Sequence, residues 1–223
     1  MDNTLLLRLE GPMQSWGERA RWVIRDTSTE PTKSGIVGLL GCALGINADE
    51  ELKKLGEAIK LGVRCDDNGQ FLTDYHTVVE GVMSGEGKIK INQNTHKPET
   101  VVSWRQYLCD ASFVIAIQAE PALIEKLVKA IQSPVWPIYL GRKCCPPAAP
   151  VFLGTGEYES LKQALNDKKF FPKTTPAKSR MRLVLESEPG KGMRRFDQTD
   201  SNHLRTFLPR YTNEALSDPI EKE

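Results

Sequence analysis

The sequence predicts an α+β fold whose larger part follows the ferredoxin-like order βαββαβ, with a hairpin inserted. Three observations carry this expectation. Apolar residues alternate at Leu5, Leu7 and Leu9 and again at Phe113, Ile115 and Ile117, as strands with one buried face require. Ile124, Leu127, Val128 and Ile131 recur at helical spacing. Across residues 1–147 the patterns run strand, helix, strand, strand, strand, helix and then an irregular return, close to βαββαβ with an insertion.

After the strand at 5–9 and a polar aromatic loop at 11–17, residues 30–45 read EPTKSGIVGLLGCALG. Thr32 and Ser34 suit a helix start, where orphan amides need side-chain acceptors, and Pro31 and Gly45 punctuate the two ends. Gly35, Gly38 and Gly41 recur every third residue, leaving one side of the helix bare. A glycine costs a helix about 1 kcal/mol relative to alanine, so something approaches this backbone closely. With Lys33 beside exposed amides, a phosphate or nucleic-acid backbone is one such partner. Tight packing of the helix on a sheet is the other, and the two are compatible.

Residues 49–60 read as a second helix, with Leu52, Leu55 and Ile59 on one stripe and acids in the first turn. A short strand at 61–65 ends in the turn Asp66-Asp67-Asn68-Gly69, and residues 71–79 resume in extended style. Residues 81–98 are polar, glycine-bearing and poor in core residues, which predicts a protruding hairpin or loop. Glu120-Pro121 ends the strand at 113–117 and precedes the helix bearing Ile124. A cation-rich turn occupies 139–147, and the prolines between 146 and 150 mark a boundary. The expected division is 1–147, with the insertion at about 77–103, and a smaller β-rich part at 148–223. In the latter, Met181, Leu183 and Leu185 suggest a strand, and the tail after Asp218 is expected to fray.

Hydrophobic content of 39% and charged content of 26% describe an ordinary globular chain. The longest apolar run, 35–46, is too short for a bilayer, and the N-terminus shows no secretory pattern. An odd count of five cysteines suits a reduced, cytoplasmic setting. The net charge of +1 conceals a segregation: residues 168–210 hold eleven Lys/Arg against four acids. That predicts one polyanion-facing surface, against the plainer reading of a solvated charged face.

Catalytic chemistry finds little support. His76, His96 and His203 stand apart and no Cys-x-x-Cys pair exists, which argues against zinc. Ile89 stands where a phosphate loop needs Ser or Thr, and no nucleophile elbow appears. A metal-independent ribonuclease needs only a base, an acid and a cation, types that His76, His96 and Lys97 supply. Aromatic and basic residues interleave more suggestively: Trp16, Arg19, Arg21, Trp22 and Arg25; Trp104, Arg105 and Tyr107; Tyr139, Arg142 and Lys143. Rings beside guanidinium groups suit single-stranded RNA, at roughly 1–3 kcal/mol per stacked base.

At these residues a family likeness emerges. Gly11-Pro-Met-Gln14 with Trp16-Gly17, Pro31-Thr32 with Ser34-Gly35, and Gly38-Leu-Leu-Gly41 fall in order along the chain. Asp74-Tyr-His-Thr-Val78, Trp104-Arg105, Tyr139-Leu-Gly-Arg142 and Phe152-Leu-Gly-Thr155 continue the series. With them the chain resembles the CasD family, the crRNA 5′-handle-binding subunits of the type I-E CRISPR Cascade complex, within the RAMP superfamily. The resemblance implies an RRM-like domain with a hairpin thumb and a small C-terminal β element. It implies a non-catalytic subunit without cofactor or metal, whose partners are crRNA, the Cascade backbone subunit and the large subunit, with target DNA nearby and no membrane. Relatives in another subtype cut RNA, which keeps the endoribonuclease alternative open. Together with the side-chain chemistry, it places RNA contacts at Gln14, Ser15, Trp16, Arg25, Thr32, Lys33, Ser34, Trp104, Arg105, Tyr107, Arg142 and Lys143. The thumb would carry Gly81, Lys88, Lys90, His96 and Lys97.

Overall fold

The computed structural model describes residues 1–18, 23–79, 81, 83, 86–172, 176, 178–200 and 207–219. Strands, mostly antiparallel, dominate over a few helices. In chain order the strands are β1 (Thr4–Glu10), β2 (Met13–Gln14), β3 (Ile24–Arg25), β4 (Lys60–Asp67), β5 (Gln70–Val78), β6 (Val101–Cys109), β7 (Ser112–Gln118), β8 (Phe152–Gly156), β9 (Arg182–Ser187), β10 (Met193–Thr199) and β11 (Phe207–Leu216). The helices are α1 (Lys33–Leu44), α2 (Asp49–Ala58), α3 (Pro121–Gln132) and the short α4 (Leu161–Leu165).

Seven strands form one antiparallel sheet in the order β10-β11-β9-β4-β7-β1-β8. Leu5, Leu7 and Leu9 of β1 meet Ile36 and Leu40 of α1 and Ile124 and Leu127 of α3 in the main core. The alternation suggests a half-buried strand, yet Leu6 is also fully buried. Its face is covered by α4 and Phe170, which form a second apolar cluster with Val114 and Ala116. A layer that short leaves little periodicity to read.

The boundary expected at 147 falls inside this sheet. β8 lies beyond it and pairs with β1, while β9 extends the opposite side by pairing with β4, from Gly62↔Leu185 to Cys65↔Arg182. The hairpin around the expected insertion at 77–103 reaches beyond those bounds. β5 and β6 pair over their full length, from Gln70↔Cys109 to Val78↔Val101. β2 and β3 add to the other edge of β6. Farther out, the hairpin closes through the bridges Met83↔Ile89 and Ile91↔Pro98.

The helix signals hold locally. Thr32 Oγ1 accepts the Gly35 amide at 3.3 Å, and Gly45 ends α1 in the left-handed region at φ 73°. Asp49, Glu50 and Glu51 fill the first turn of α2, and Pro121 opens α3. All five cysteines are free, and no described helix is long and apolar enough to cross a membrane.

Arg64 of β4 ties the second layer to the sheet. Fully buried, it grips Asp66 through two contacts of 2.6 and 3.0 Å and donates to the carbonyls of Leu165 and Phe170, both at 2.6 Å. Its guanidinium also lies 3.9 Å from the centre of the Phe171 ring. Arg64→Ala leaves a buried carboxylate and two carbonyls without a donor and is expected to lower stability by about 3–5 kcal/mol. Urea unfolding measures this, and a loss below about 1 kcal/mol would contradict the role assigned to Arg64.

Candidate nucleic-acid interface

The start of α1 is already occupied from within the protein. The Lys33 amide donates to Asp197 Oδ2 of β10 at 2.9 Å. Asp197, only 1% exposed, is gripped by Arg210 at 2.9 and 2.6 Å. The Lys33 ammonium turns inward and donates to the Ile59 carbonyl at 3.0 Å and to Glu186 at 2.7 Å. Burial pushes the Lys33 pKa down, and Glu186 opposes that only partly. For Asp197 burial pulls the pKa up, but the Arg210 bonds and charge and the Lys33 amide outweigh it and hold the carboxyl below the ordinary aspartate value. The expectation that Lys33 and its amide face a phosphate is therefore corrected: a carboxylate of the same chain holds that amide, and Lys33 forms an internal ion pair.

Packing accounts for two of the three helix glycines. The Trp16 ring lies over Gly35, where a Cβ would come within 2.8 Å of Cε3, and Leu52 lies over Gly41, where the distance would be 2.5 Å. At Gly38 an added Cβ meets nothing within 4 Å among the described residues, which leave the helix backbone uncovered there. Trp16 is 1% exposed, and its indole donates to Gln14 Oε1 at 3.1 Å. Gln14 in turn donates to the carbonyls of Leu9 and Ala111, at 3.1 and 2.7 Å. Ser15 donates to the Gln106 carbonyl at 3.1 Å.

Tyr107 is buried beneath Arg142, whose guanidinium stands 4.6 Å from the ring centre. Arg142 donates to the carbonyls of Gln106, Arg25 and Asp26, so it fastens β3 and β6 to the turn that bears it. That turn is held close: Gly141 has φ 86°, and a Cβ there would fall 1.7 Å from the Ser15 carbonyl oxygen. The side chains of Gln14, Ser15, Trp16, Thr32, Lys33 and Tyr107 are thus buried framework rather than open stacking or phosphate-binding groups, and Arg142 is a strut.

What remains open is a groove of about 280 Å³ beside α1, lined by Ser34, Gly35, Gly38, Gly17, Gly141 and Phe207 among others. Lys143, two residues from Gly141, is exposed, as is Arg25. Arg105 is half-buried, donates to Ser103 Oγ at 3.2 Å, and stands opposite Asp74 in the β5–β6 register. Trp104 is 44% exposed and meets Tyr75 edge-on at 5.3 Å. At the hairpin tip Lys88, Lys90, His96 and Lys97 are exposed. Gly81 adopts φ 114°, with Ile89 packed where a Cβ would be.

The basic C-terminal segment turns much of its charge inward. Arg210 joins Asp197, Arg195 contacts Glu30, and Arg182 reaches Glu30 at 2.7 Å. The Glu30 side chain is 1% exposed. Arg194 stays outside, 4.5 Å from the Phe196 ring centre. His76 Nδ1 lies 3.3 Å from Asp74, whereas His96 sits in the tip turn at φ 53°. Among the described residues no hydrogen bond or ion pair joins the two histidines, and no group of three or more metal-ligating side chains gathers. Arg19, Arg21, Trp22 and His203, named from the sequence, lie outside the described residues, as do Lys173 and Arg205 of the basic segment. Sequence reasoning missed Glu30, Glu186, Asp197 and Arg210, because single charged residues far apart in the chain carry no mark of their partners.

Comparison with known proteins adds a consistent set of relatives. A family model described as CRISPR-associated protein (Cas_Cas5) matches residues 4–216. The CRISPR system Cascade subunit CasD of Escherichia coli (strain K12) is 39% identical over 178 residues, covering 74% of this chain and 76% of that protein. A chain of a solved CRISPR RNA-guided surveillance complex superposes with a TM-score of 0.78 at 26% identity, covering 97% of this chain and 91% of its own. A crystal structure of a Cas protein gives 0.69 at 34% identity, covering 96% and 95%.

The Asp197 arrangement has a pH signature. Its folded-state pKa lies below the reference value of 3.8, so its contribution is complete above that value and is lost as pH falls below it. Asp197→Asn is expected to lower stability at neutral pH and to flatten the acid limb of the stability profile. Urea unfolding from pH 7 to about 3 gives both readings; an unchanged acid limb would contradict the assignment.

Proposed function

The chain belongs to the Cas5 family of CRISPR-associated proteins, and on that premise we propose that it is a crRNA-binding structural subunit of a Cascade-type interference complex. In this reading it holds the 5′ handle of the crRNA, contacts neighbouring backbone and large subunits, and contributes to target DNA recognition. Likeness to CasD over about three quarters of both chains carries the reading. The groove at Gly38, uncovered by the described residues, gives it a physical seat: a side-chain-free stretch of helix next to Ser34, with an exposed Lys143 two residues beyond Gly141 of the groove wall and an exposed Arg25 on β3.

The strand order β8-β1-β7-β4 supports an RRM-like core within the larger sheet. In order of appearance within that core these are the fourth, first, third and second strands, all antiparallel, with α1 and α3 packed in one apolar cluster. The β5–β6 hairpin is the thumb, and Lys88, Lys90, His96 and Lys97 give its tip the charge to meet a polyanion. Arg105 and Ser34 complete the proposed RNA-contacting set. The role is non-catalytic: the pair His76 and Asp74 is the one feature favouring a nuclease, and its histidine lacks a second acid–base partner among the described residues.

Purified protein is expected to bind handle-containing RNA with an affinity that falls steeply with salt, and to leave it uncut in EDTA. A defined cut abolished by His76→Ala would replace this reading with the nuclease one. Gly38→Leu fills the groove without touching the core and is expected to weaken RNA binding by about tenfold or more with the thermal midpoint held. Arg25→Ala combined with Lys143→Ala is expected to lower affinity and to reduce the salt slope by about 1–2.

A further inference from the structure

The turn that bears Arg142 also carries two adjacent thiols. Cys144 and Cys145 place their sulfurs 3.9 Å apart. All five cysteines are among the described residues, and Cys144 alone is exposed. Cys145 belongs to the main core. The backbone fixes the pair: the Cys145 amide donates to the Arg142 carbonyl at 2.9 Å, and the Leu140 amide to the Cys145 carbonyl at 2.7 Å. Gly141 of the same turn lines the groove beside α1.

The two thiols differ in reach and reactivity. Cys144 meets solvent, follows the cations Arg142 and Lys143, and lies 3.7 Å from the Tyr107 hydroxyl. Partly exposed, electropositive surroundings are where thiols react. Burial pushes the Cys145 thiol up to about 12, so it stays protonated at neutral pH and does not react first. An accessible thiol with a second one poised beside it is the arrangement of a redox sensor. A permanent bridge is disfavoured by covalent geometry. Adjacent Cα atoms lie about 3.8 Å apart, short of the roughly 4.4–6.8 Å of ordinary disulfides, so a bond between neighbours is strained and easily reduced.

We propose that Cys144 and Cys145 form a reversible peroxide-sensing pair, in which Cys144 is oxidised first and Cys145 closes a disulfide onto it. The Cys144 sulfur attacks one oxygen of hydrogen peroxide; the O–O bond breaks, water leaves with the thiol proton, and a sulfenic acid remains. The Cys145 sulfur then attacks that of Cys144, the S–O bond breaks, and a second water leaves with the Cys145 proton. Two thiols lose two electrons in all, and one peroxide is reduced. A small thiol reverses the bond by exchange. Closing it draws the sulfurs together by about 2 Å and pulls Cys144 from Tyr107. The turn must then shift, and with it Arg142, which fastens β3 and β6, and Gly141, which is pressed against Ser15. Oxidation thereby loosens the groove wall and weakens RNA binding; this consequence alone rests on the reading of the groove as an RNA seat.

The test treats the reduced full chain with a small excess of hydrogen peroxide, alkylates the remaining thiols in denaturant, and maps the digest by mass spectrometry. The peptide spanning 144–145 is expected without alkyl groups and lighter by two hydrogen atoms, with both thiols restored by dithiothreitol. Cys42, Cys65 and Cys109 are expected to be alkylated. In Cys145→Ser oxidation should stop at a sulfenic acid on Cys144, trapped by dimedone. Cys144→Ser, a substitution at an exposed position, should leave Cys145 reduced. A wild-type Cys144 that stays reduced, stops at the sulfenic acid or bridges to a second chain overturns the proposal. In a separate arm, peroxide is expected to lower the affinity of the wild-type chain for handle RNA by about threefold or more, reversibly, and to leave Cys144→Ser unchanged. A formed bridge with undiminished affinity overturns the coupling to the groove. Absence of RNA binding by the reduced chain would sink the functional reading, whereas the bridge, read by mass, would stand.

Discussion

The junction between the start of α1 and the C-terminal strands depends on a buried set of charges, Lys33 with Glu186 and Asp197 with Arg210. Each partner would be costly to bury alone; each is matched by an opposite charge, and Lys33, Glu186 and Asp197 also bond backbone groups. The set joins a helix near the N-terminus to strands more than 150 residues later. It also determines what the helix can still offer: the amide at Lys33 is taken, so the remaining open backbone lies one turn further on, at Gly38. Glu30 extends the same logic by receiving Arg182 and Arg195.

Around that junction the aromatic residues serve two distinct ends. Trp16 and Tyr107 lie inside, one over Gly35 and the other under Arg142. Trp104 and Tyr75 lie outside on the hairpin. A stacking ring and a framework ring are the same residue type, and which one a ring becomes depends on what the fold brings over it. Gly141 shows how tight the framework is, since no side chain could stand between its loop and Ser15. The cations divide in the same way. Arg142, Arg182, Arg195 and Arg210 hold elements together, while Arg25, Lys143 and the lysines of the hairpin tip face solvent.

The hairpin shows why location alone does not define a binding surface. Its strands leave the main sheet at the Asp66–Gly69 turn, where Gly69 has φ 65° and Asp67 accepts its amide at 2.9 Å. From there the two-residue repeat sorts side chains by face, and the register of β3, β5 and β6 turns that sorting into an ionic side and an apolar side.

Much of the fold is legible in the chain. Thr32, Gly45, Pro121 and the acids of α2 mark helix ends because capping and dipole effects act over a few residues, and the Leu5–Leu7–Leu9 and Phe113–Ile115–Ile117 alternations mark strands because the pleat does the same. The groove is half legible: the glycine repeat of α1 announces a close approach but not which glycine is covered by Trp16, which by Leu52 and which stays open. The pairing of Lys33 with Glu186, the membership of β8 and β9 in one sheet, and the faces shown by Trp16 and Trp104 are decided only by tertiary structure. Local signals come from short-range sterics and hydrogen bonding, whereas burial and ion pairing depend on which distant segments the whole chain brings into contact.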